Sequence, residues 1–347
     1  MTHRPPRSPS SVPPCVLDKL SVRRYQSDFF LEMVVPFCLD LFSGMGGWSA
    51  GAKRVLGGGT RFTAVDIDRD ALASYRVNHP EAQTIERKLP ACISDLLPSD
   101  RRLCWVFASP PCTNLSKANK RASSAERECD LDLVEWCARL MMGTACAGWW
   151  MEQVPTSPVI ERLTAIRRES PDALDFEIFD FGRQFGVPQS RRRVLVSRPD
   201  AIRRLRDTHV PSVTVHDLLS PPYHAPQQRC TQLFSVGGHG NKNLSLRSVH
   251  DASFTVTRNA LYWASPTCPR FLKLSPREIA TLQCFPSEHE LPDRKGTAYR
   301  LLGNAIPPSV AEHCVAAARD CVDRHAEVAG LRARVAYLEA RVRALER

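Results

Sequence analysis

The stretch Val34–Gly47, VVPFCLDLFSGMGG, decides how the rest of the chain is read. Its apolar run to Phe42 fits a strand buried on both faces of a sheet. Glycines at positions 44, 46 and 47 then permit a tight turn and close approach of a ligand to the backbone. The residues from Trp48 to Val55 follow with helical spacing. Taken alone, a plain strand–helix junction would use glycine in the same way.

The same alternation continues outward. RFTAVDID and DALASYRVNH read as a second strand and helix, and TIER as a short strand. RLCWVFAS is another strand, and a helical pattern from about Leu131 to Met142 leads to the strand GWWMEQV. FEIFDF and RRVLVS add two more strands. Strands alternating with helices predict an α/β class with a mostly parallel sheet, whose ligands bind at the carboxyl ends of the strands. From Pro199 to about Arg270 the periodicity fades into Pro, Ser, His and Gly, which predicts a small, irregular second domain. Helical patterning returns at SPREIATLQCF and from Ser309. The expected organisation is an arm over 1–33, a main domain over 34–198, a small domain over 199–270, a return to the main domain over 271–324, and a terminal helix over 325–347.

That terminal helix carries Val328, Leu331, Val335, Leu338, Val342 and Leu345 at alternating spacings of three and four. Val at a and Leu at d favour a parallel two-stranded coil, and hence a homodimer. A helix lying on the body of the protein is the equal alternative. Gly330 weakens the start of the repeat.

Composition narrows the setting. The chain has 347 residues, 43% of them hydrophobic, enough for a sizeable core. No apolar run is long enough to span a membrane, and the Pro-, Ser- and Arg-rich start, MTHRPPRSPSSVPP, reads as a disordered arm without a signal-peptide core. Thirteen cysteines without C-x-x-C spacing fit no disulfide framework and no metal site, so an intracellular, reducing setting is expected. A formal net charge of +10 suits a polyanionic partner such as nucleic acid.

Particular residues carry the chemistry. In FASPPCTNLS, Cys112 follows two prolines that stiffen the backbone, as if the sulfur were displayed. An acidic residue ending the second strand, Asp66, is placed to accept from ribose hydroxyls, unless Asp66 or Asp68 only caps the next helix. Glu152 closes a strongly apolar strand, an unusual place for a surface carboxylate.

DLFSGMGG, SPPC, EQV, QSRRR and RLLGNAIPP occur in this order, and the set resembles the cytosine-C5 DNA methyltransferases over roughly Phe37 to Cys321. The resemblance implies a Rossmann-like methyltransferase domain, a small target-recognition domain, and S-adenosylmethionine as cofactor. Asp40, Phe42, Ser43, Gly44, Gly46 and Gly47 would cradle its methionine part, Asp66 its ribose and Ile67 its adenine, with Pro110, Asn304 and Ala305 completing the pocket. Cys112 would be the nucleophile, Glu152 would meet N3 of cytosine, Arg191 would meet O2, and Arg193 would orient Glu152 or meet DNA. Gln189, Ser116 and Lys117, with Lys120 and Arg121, would serve the nucleic acid. Thr255, Thr257 and Arg258, in DASFTVTRN, would read bases of duplex DNA from which the cytosine is flipped. The resemblance implies no metal and no membrane.

The sequence departs from the family at three points. Gln153 stands where asparagine is usual, TNLS replaces Q-x-[FY]-S, and the Gly-Asp after the third strand is missing. Arg87 and Lys88 align there, and Asp95 is the nearest acidic substitute. A tRNA cytosine-C5 methyltransferase of the same family and a catalytically silent DNA-binding regulator are the competing readings.

Overall fold

A computed structural model describes residues 35–99, 104–116, 119, 121–219, 223–225, 228–229, 232–235, 245–258, 261–265 and 268–345. The expected arm, Lys117 and Lys120 lie outside these residues. At the centre is a seven-stranded sheet built from β1 (Phe37–Leu41), β2 (Arg61–Asp66), β3 (Gln83–Glu86), β4 (Cys104–Ala108), β5 (Gly148–Gln153), β6 (Asp175–Asp180) and β7 (Arg192–Ser197). Its order is β3-β2-β1-β4-β5-β7-β6. The first five strands run parallel, and β7 is antiparallel to both neighbours.

Successive residues of a strand point to opposite faces, and here both faces are covered. Leu39, Leu41, Val106, Trp149 and Met151 pack under α3 (Ser124–Gly143) and α4 (Ser157–Glu169). Cys38, Trp105, Phe107 and Trp150 pack under α1 (Gly47–Leu56), α6 (Pro199–Arg206) and α10 (Pro308–Leu345). This double burial is why the strands read as unbroken apolar runs. The strand order reverses between β1 and β4, which opens a crevice at their carboxyl ends. α2 (Arg69–Asn78) and α5 (Phe181–Phe185) complete this part.

The small region contains α7 (Val215–Leu218), a hairpin of β8 (Tyr223–Ala225) and β9 (Gln228–Arg229), and a sheet of β10 (Gln232–Ser235), β11 (Ser245–Ser248), β12 (Leu261–Ser265) and β13 (Cys268–Lys273). The sheet order is β11-β10-β12-β13, all antiparallel. The expectation of an irregular segment is therefore corrected: β10, β11 and β13 sit among Pro, Ser, His and Gly and carry no unbroken apolar run of the kind that marks the doubly covered sheet. α8 (Pro276–Leu282) and α9 (Lys295–Asn304) follow.

Other boundaries also move. α6 begins at Pro199, and its Ala201, Ile202 and Leu205 join the main core, so the small region starts later than the fading periodicity implies. α3 begins seven residues before Leu131, because a capping box between Ser123 and Glu126 starts a turn with no apolar stripe. α10 is one helix of 38 residues, and residues 323–338 are exposed along it, so that part does not lie on the body. Among the described residues no helix is long and apolar enough to cross a membrane.

Candidate active site

The crevice holds a cavity of about 310 Å³. Eleven of the expected residues line it: Phe42, Ser43, Gly44, Gly47, Asp66, Ile67, Pro110, Cys112, Glu152, Asn304 and Ala305. They come from the ends of β1, β2, β4 and β5 and from the end of α9.

The turn after β1 is shaped for this. Phe42 and Gly44 both take positive φ, 55° and 54°, and only the glycine does so without strain. The Gly44 N–H donates to Asp66 Oδ2 at 2.9 Å, and the Asp68 N–H donates to Oδ1 at 2.9 Å. Burial pushes the Asp66 carboxyl up, while these two donors pull it back. A Cβ on Gly47 would stand 2.3 Å from the Ile306 carbonyl oxygen, so glycine lets α1 meet the segment after α9. Asp68 is the helix cap, accepting from Asp70 and Ala71, and it also pairs with Arg300 across the cavity rim.

Two expected cofactor contacts lie off the cavity. Asp40 is fully buried beneath it, accepting from Ser49 Oγ at 2.7 Å, and Tyr75 donates to the same Ser49 at 2.6 Å. Burial pushes the Asp40 carboxyl up to about 8. Gly46, at φ 89°, is a packing glycine: a Cβ there would meet His79 Nε2 at 2.8 Å. Both residues shape the turn from behind.

Cys112 lines the same cavity from the loop that leaves β4, the strand beside β1. The loop is pinned at three points. Trp48 Nε1 donates to Ser109 Oγ at 2.9 Å. Gln153 Nε2 donates to the Pro110 carbonyl at 2.9 Å, while Gln153 Oε1 accepts from the Val154 N–H at 2.7 Å. The Ser116 N–H donates to the Cys112 carbonyl at 2.9 Å. Gln153 thus braces the turn that carries Cys112. Burial first, and the Glu152 carboxylate second, push the Cys112 thiol up; Arg193 and Arg191 oppose them.

Glu152 is buried, and Arg193 Nε lies 2.7 Å from its Oε1. The approach is a charge contact rather than an aligned hydrogen bond, since that oxygen has no hydrogen-bond partner. Arg191 is placed otherwise than expected. Its guanidinium donates to the carbonyls of Val256 at 2.8 Å, Gly303 at 3.4 Å and Ala305 at 3.2 Å. Burial pushes it down to about 9. It joins β7 to the loop before β12 and to the end of α9, and it does not line the cavity.

Gln189 is likewise corrected from a nucleic-acid contact to a brace. It is fully buried, donates to the Leu282 carbonyl at 2.9 Å and Gln283 Oε1 at 2.7 Å, and accepts from the Val256 N–H at 2.9 Å. Ser190 and Ser253 exchange backbone bonds with the same two segments. Thr255 donates its hydroxyl to the Ser190 carbonyl, while Thr257 and Arg258 stay exposed. A Cβ on Gly303 would press within 2.4 Å of the Thr257–Arg258 backbone, so the recognition segment rests on the end of α9. Ser116 is half-buried behind Cys112.

Arg87 and Lys88 do line the cavity, in the place of the missing Gly-Asp. Asp95 does not; Arg87 grips it in a two-pronged pair at 3.1 and 2.8 Å. Arg198 donates to the Ala147 and Cys146 carbonyls at 2.8 and 2.6 Å. Sequence reading missed Gln283, Ser109, Trp48 and Arg300, whose roles depend on contacts between distant segments.

Against known proteins, the profile described as "C-5 cytosine-specific DNA methylase" matches residues 37–152 and 267–319, which carry Cys112, Glu152 and the whole glycine turn. Over these two stretches the chain matches the C-5 cytosine-specific DNA methylase family. It is 25% identical over 336 residues to Type II methyltransferase M1.HphI of Haemophilus parahaemolyticus, covering 83% of this chain and 89% of that protein. Type II methyltransferase M.HgiDI of Herpetosiphon aurantiacus is 25% identical over 295 residues, 79% of this chain and 91% of that one. Among solved structures, a methyltransferase of Entamoeba histolytica superposes with a TM-score of 0.58 at 16% identity, over 83% of this chain and 99% of that one. Relatives of this kind make the chain a methyltransferase.

Proposed function

We propose that the protein is a DNA (cytosine-5-)-methyltransferase that uses S-adenosylmethionine and attacks a flipped-out cytosine through Cys112. The observation that carries this is one cavity that joins Cys112 and Glu152 to the glycine turn and Asp66.

The cavity residues fit such a cofactor. The Asp66 carboxylate can accept from a ribose diol, and Gly44, with open space where a Cβ would stand, leaves backbone open to an amino-acid tail. Ile67 is 59% exposed although apolar, and its face at the rim suits a flat base. When bound, S-adenosylmethionine supplies an electrophilic methyl group for C5. Cys112, as thiolate, bonds to C6 and converts the ring into an enamine, so that C5 becomes the nucleophile. Glu152 shares a proton with N3, where charge collects, and Arg193, the guanidinium beside it, orients that carboxyl. After the methyl group reaches C5, a base removes the C5 proton and the C6–S bond breaks, which restores Cys112. Lys117, Thr257 and Arg258 would meet the nucleic acid, and the buried position of the thiol requires that the base leave its stack.

The description of the matching family, a DNA methylase, supports duplex DNA as the substrate. Methyl transfer from labelled cofactor to duplex DNA and to tRNA, run side by side, tests this; transfer to tRNA alone would overturn it. Duplex DNA carrying 5-fluorocytosine should trap the wild type covalently, because fluorine cannot leave as a proton. Cys112→Ser should form no adduct, and an adduct in that variant would assign the nucleophile elsewhere.

A further inference from the structure

The second half of α10 outruns the body of the protein. The stripe that begins with the buried Cys314 and Ala317 continues as Val328, Leu331, Val335 and Leu338, which are 40–56% exposed. A helix rises 1.5 Å per residue, so the exposed stretch from residue 323 to 338 is about 24 Å long. Large aliphatic side chains in a heptad seam lose the gain of burial if left in water.

The charges beside the seam say what covers it. With Val328 and Val335 at a and Leu331 and Leu338 at d, Glu327 and Arg334 fall at g, and Arg332 falls at e. In a parallel pair, each g residue faces the e residue five positions on in the other helix. Glu327 then faces Arg332 of a second copy, an attractive pair made twice. In the antiparallel register that pairs Val328 with Leu338, Arg334 would face Arg334 of the second copy, and Arg332 would face Arg332, both repulsive pairs.

We propose that this segment is a homodimerisation surface: two copies of the chain join through a parallel two-stranded coil of residues 324–345, so that one particle carries two active sites. The seam residues lie outside the catalytic cavity, so substitutions there leave the cofactor and thiol sites intact.

Sedimentation equilibrium of the full chain tests the inference. The wild type is expected as a dimer at tens of micromolar. Leu331→Asp and Leu338→Asp should be monomeric with unchanged thermal unfolding of the body, since neither side chain packs on it. Glu327→Arg alone and Arg332→Glu alone each turn two attractive pairs repulsive, weakening self-association by roughly tenfold. Mixing those two variants should restore association, as a heterodimer. Gly330 faces open space at position c, so Gly330→Ala should tighten the dimer by about fivefold through helix propensity alone. A wild type monomeric at roughly 100 µM would overturn the proposal. So would a trimer, indifference to Leu338→Asp, or failure of the mixed pair to recover.

Discussion

The resting state of Cys112 is set by two opposed neighbours. Burial and the Glu152 carboxylate hold it as a thiol, and the Arg193 guanidinium favours the thiolate. Removing only the negative charge should therefore separate reactivity from catalysis. In Glu152→Gln, alkylation of Cys112 by iodoacetamide should speed up at fixed pH, read by mass spectrometry, while methyl transfer falls by about 100-fold or more. Arg193→Ala should slow both. Unchanged alkylation in Glu152→Gln would show that this carboxylate does not act on the sulfur. Asp40 offers a second single-residue experiment. Its folded carboxyl holds its proton to about pH 8, whereas an unfolded aspartate loses it near the ordinary value of 3.8. Between those values the folded chain binds the extra proton, so Asp40 contributes less stability as pH rises. Asp40→Asn keeps an acceptor for Ser49 and removes the titration. Its stability relative to wild type should rise between pH 4 and 8 by up to ~1.4 kcal/mol per pH unit, measured by urea unfolding.

At the level of elements, two of the three arginines of the QSRRR segment, Arg191 and Arg193, do different work. Arg191 joins β7, the loop before β12 and the end of α9 through backbone carbonyls that have no water to turn to. Arg191→Met should cost about 2–4 kcal/mol of stability in chemical denaturation. Arg193→Met should leave stability within ~1 kcal/mol and remove most turnover, because its contact is with Glu152 at the cavity. Equal losses of stability in both variants would contradict this division. The same contrast shows what a single sequence makes legible. Cys112, Glu152, Asp66 and the glycine turn sit at strand ends, where local pattern and motif coincide, and they reach one cavity. Arg191 and Gln189 belong to the same motif, yet their side chains are spent on segments more than 60 residues away. Nothing local distinguishes an arginine that faces a pyrimidine from one that ties carbonyls together. The strands β10 to β13 were hidden for a related reason: their pairing is non-local and, β12 apart, they lack the unbroken apolar runs of the central sheet.

For the whole molecule, the 47 lysines and arginines overstate what a duplex would meet. Many arginines already hold carboxylates: Arg162 meets Glu128, Asp132 and Glu135, Arg204 meets Asp320, Arg206 meets Glu177, and Arg139 meets Glu135 and Glu169. These pairs lie along α3, α4, α6 and α10, on helices that cover the sheet, and they offer little to phosphates. Lys88, which lines the cavity, and the exposed Arg121 and Arg258 are among the described cations left for backbone contact. Binding to duplex DNA should consequently weaken with salt, but less steeply than the number of cations suggests. A plot of log affinity against log salt should have a slope of about −3 to −5, corresponding to roughly three to six phosphates neutralised. Arg258→Ala should reduce that slope by about one if it meets a phosphate, and leave the slope unchanged while relaxing target choice if it reads a base. A slope near zero in fluorescence anisotropy would exclude duplex DNA as the polyanion this surface serves, and a slope near −9 would mean that the helix-borne arginines abandon their carboxylates on binding.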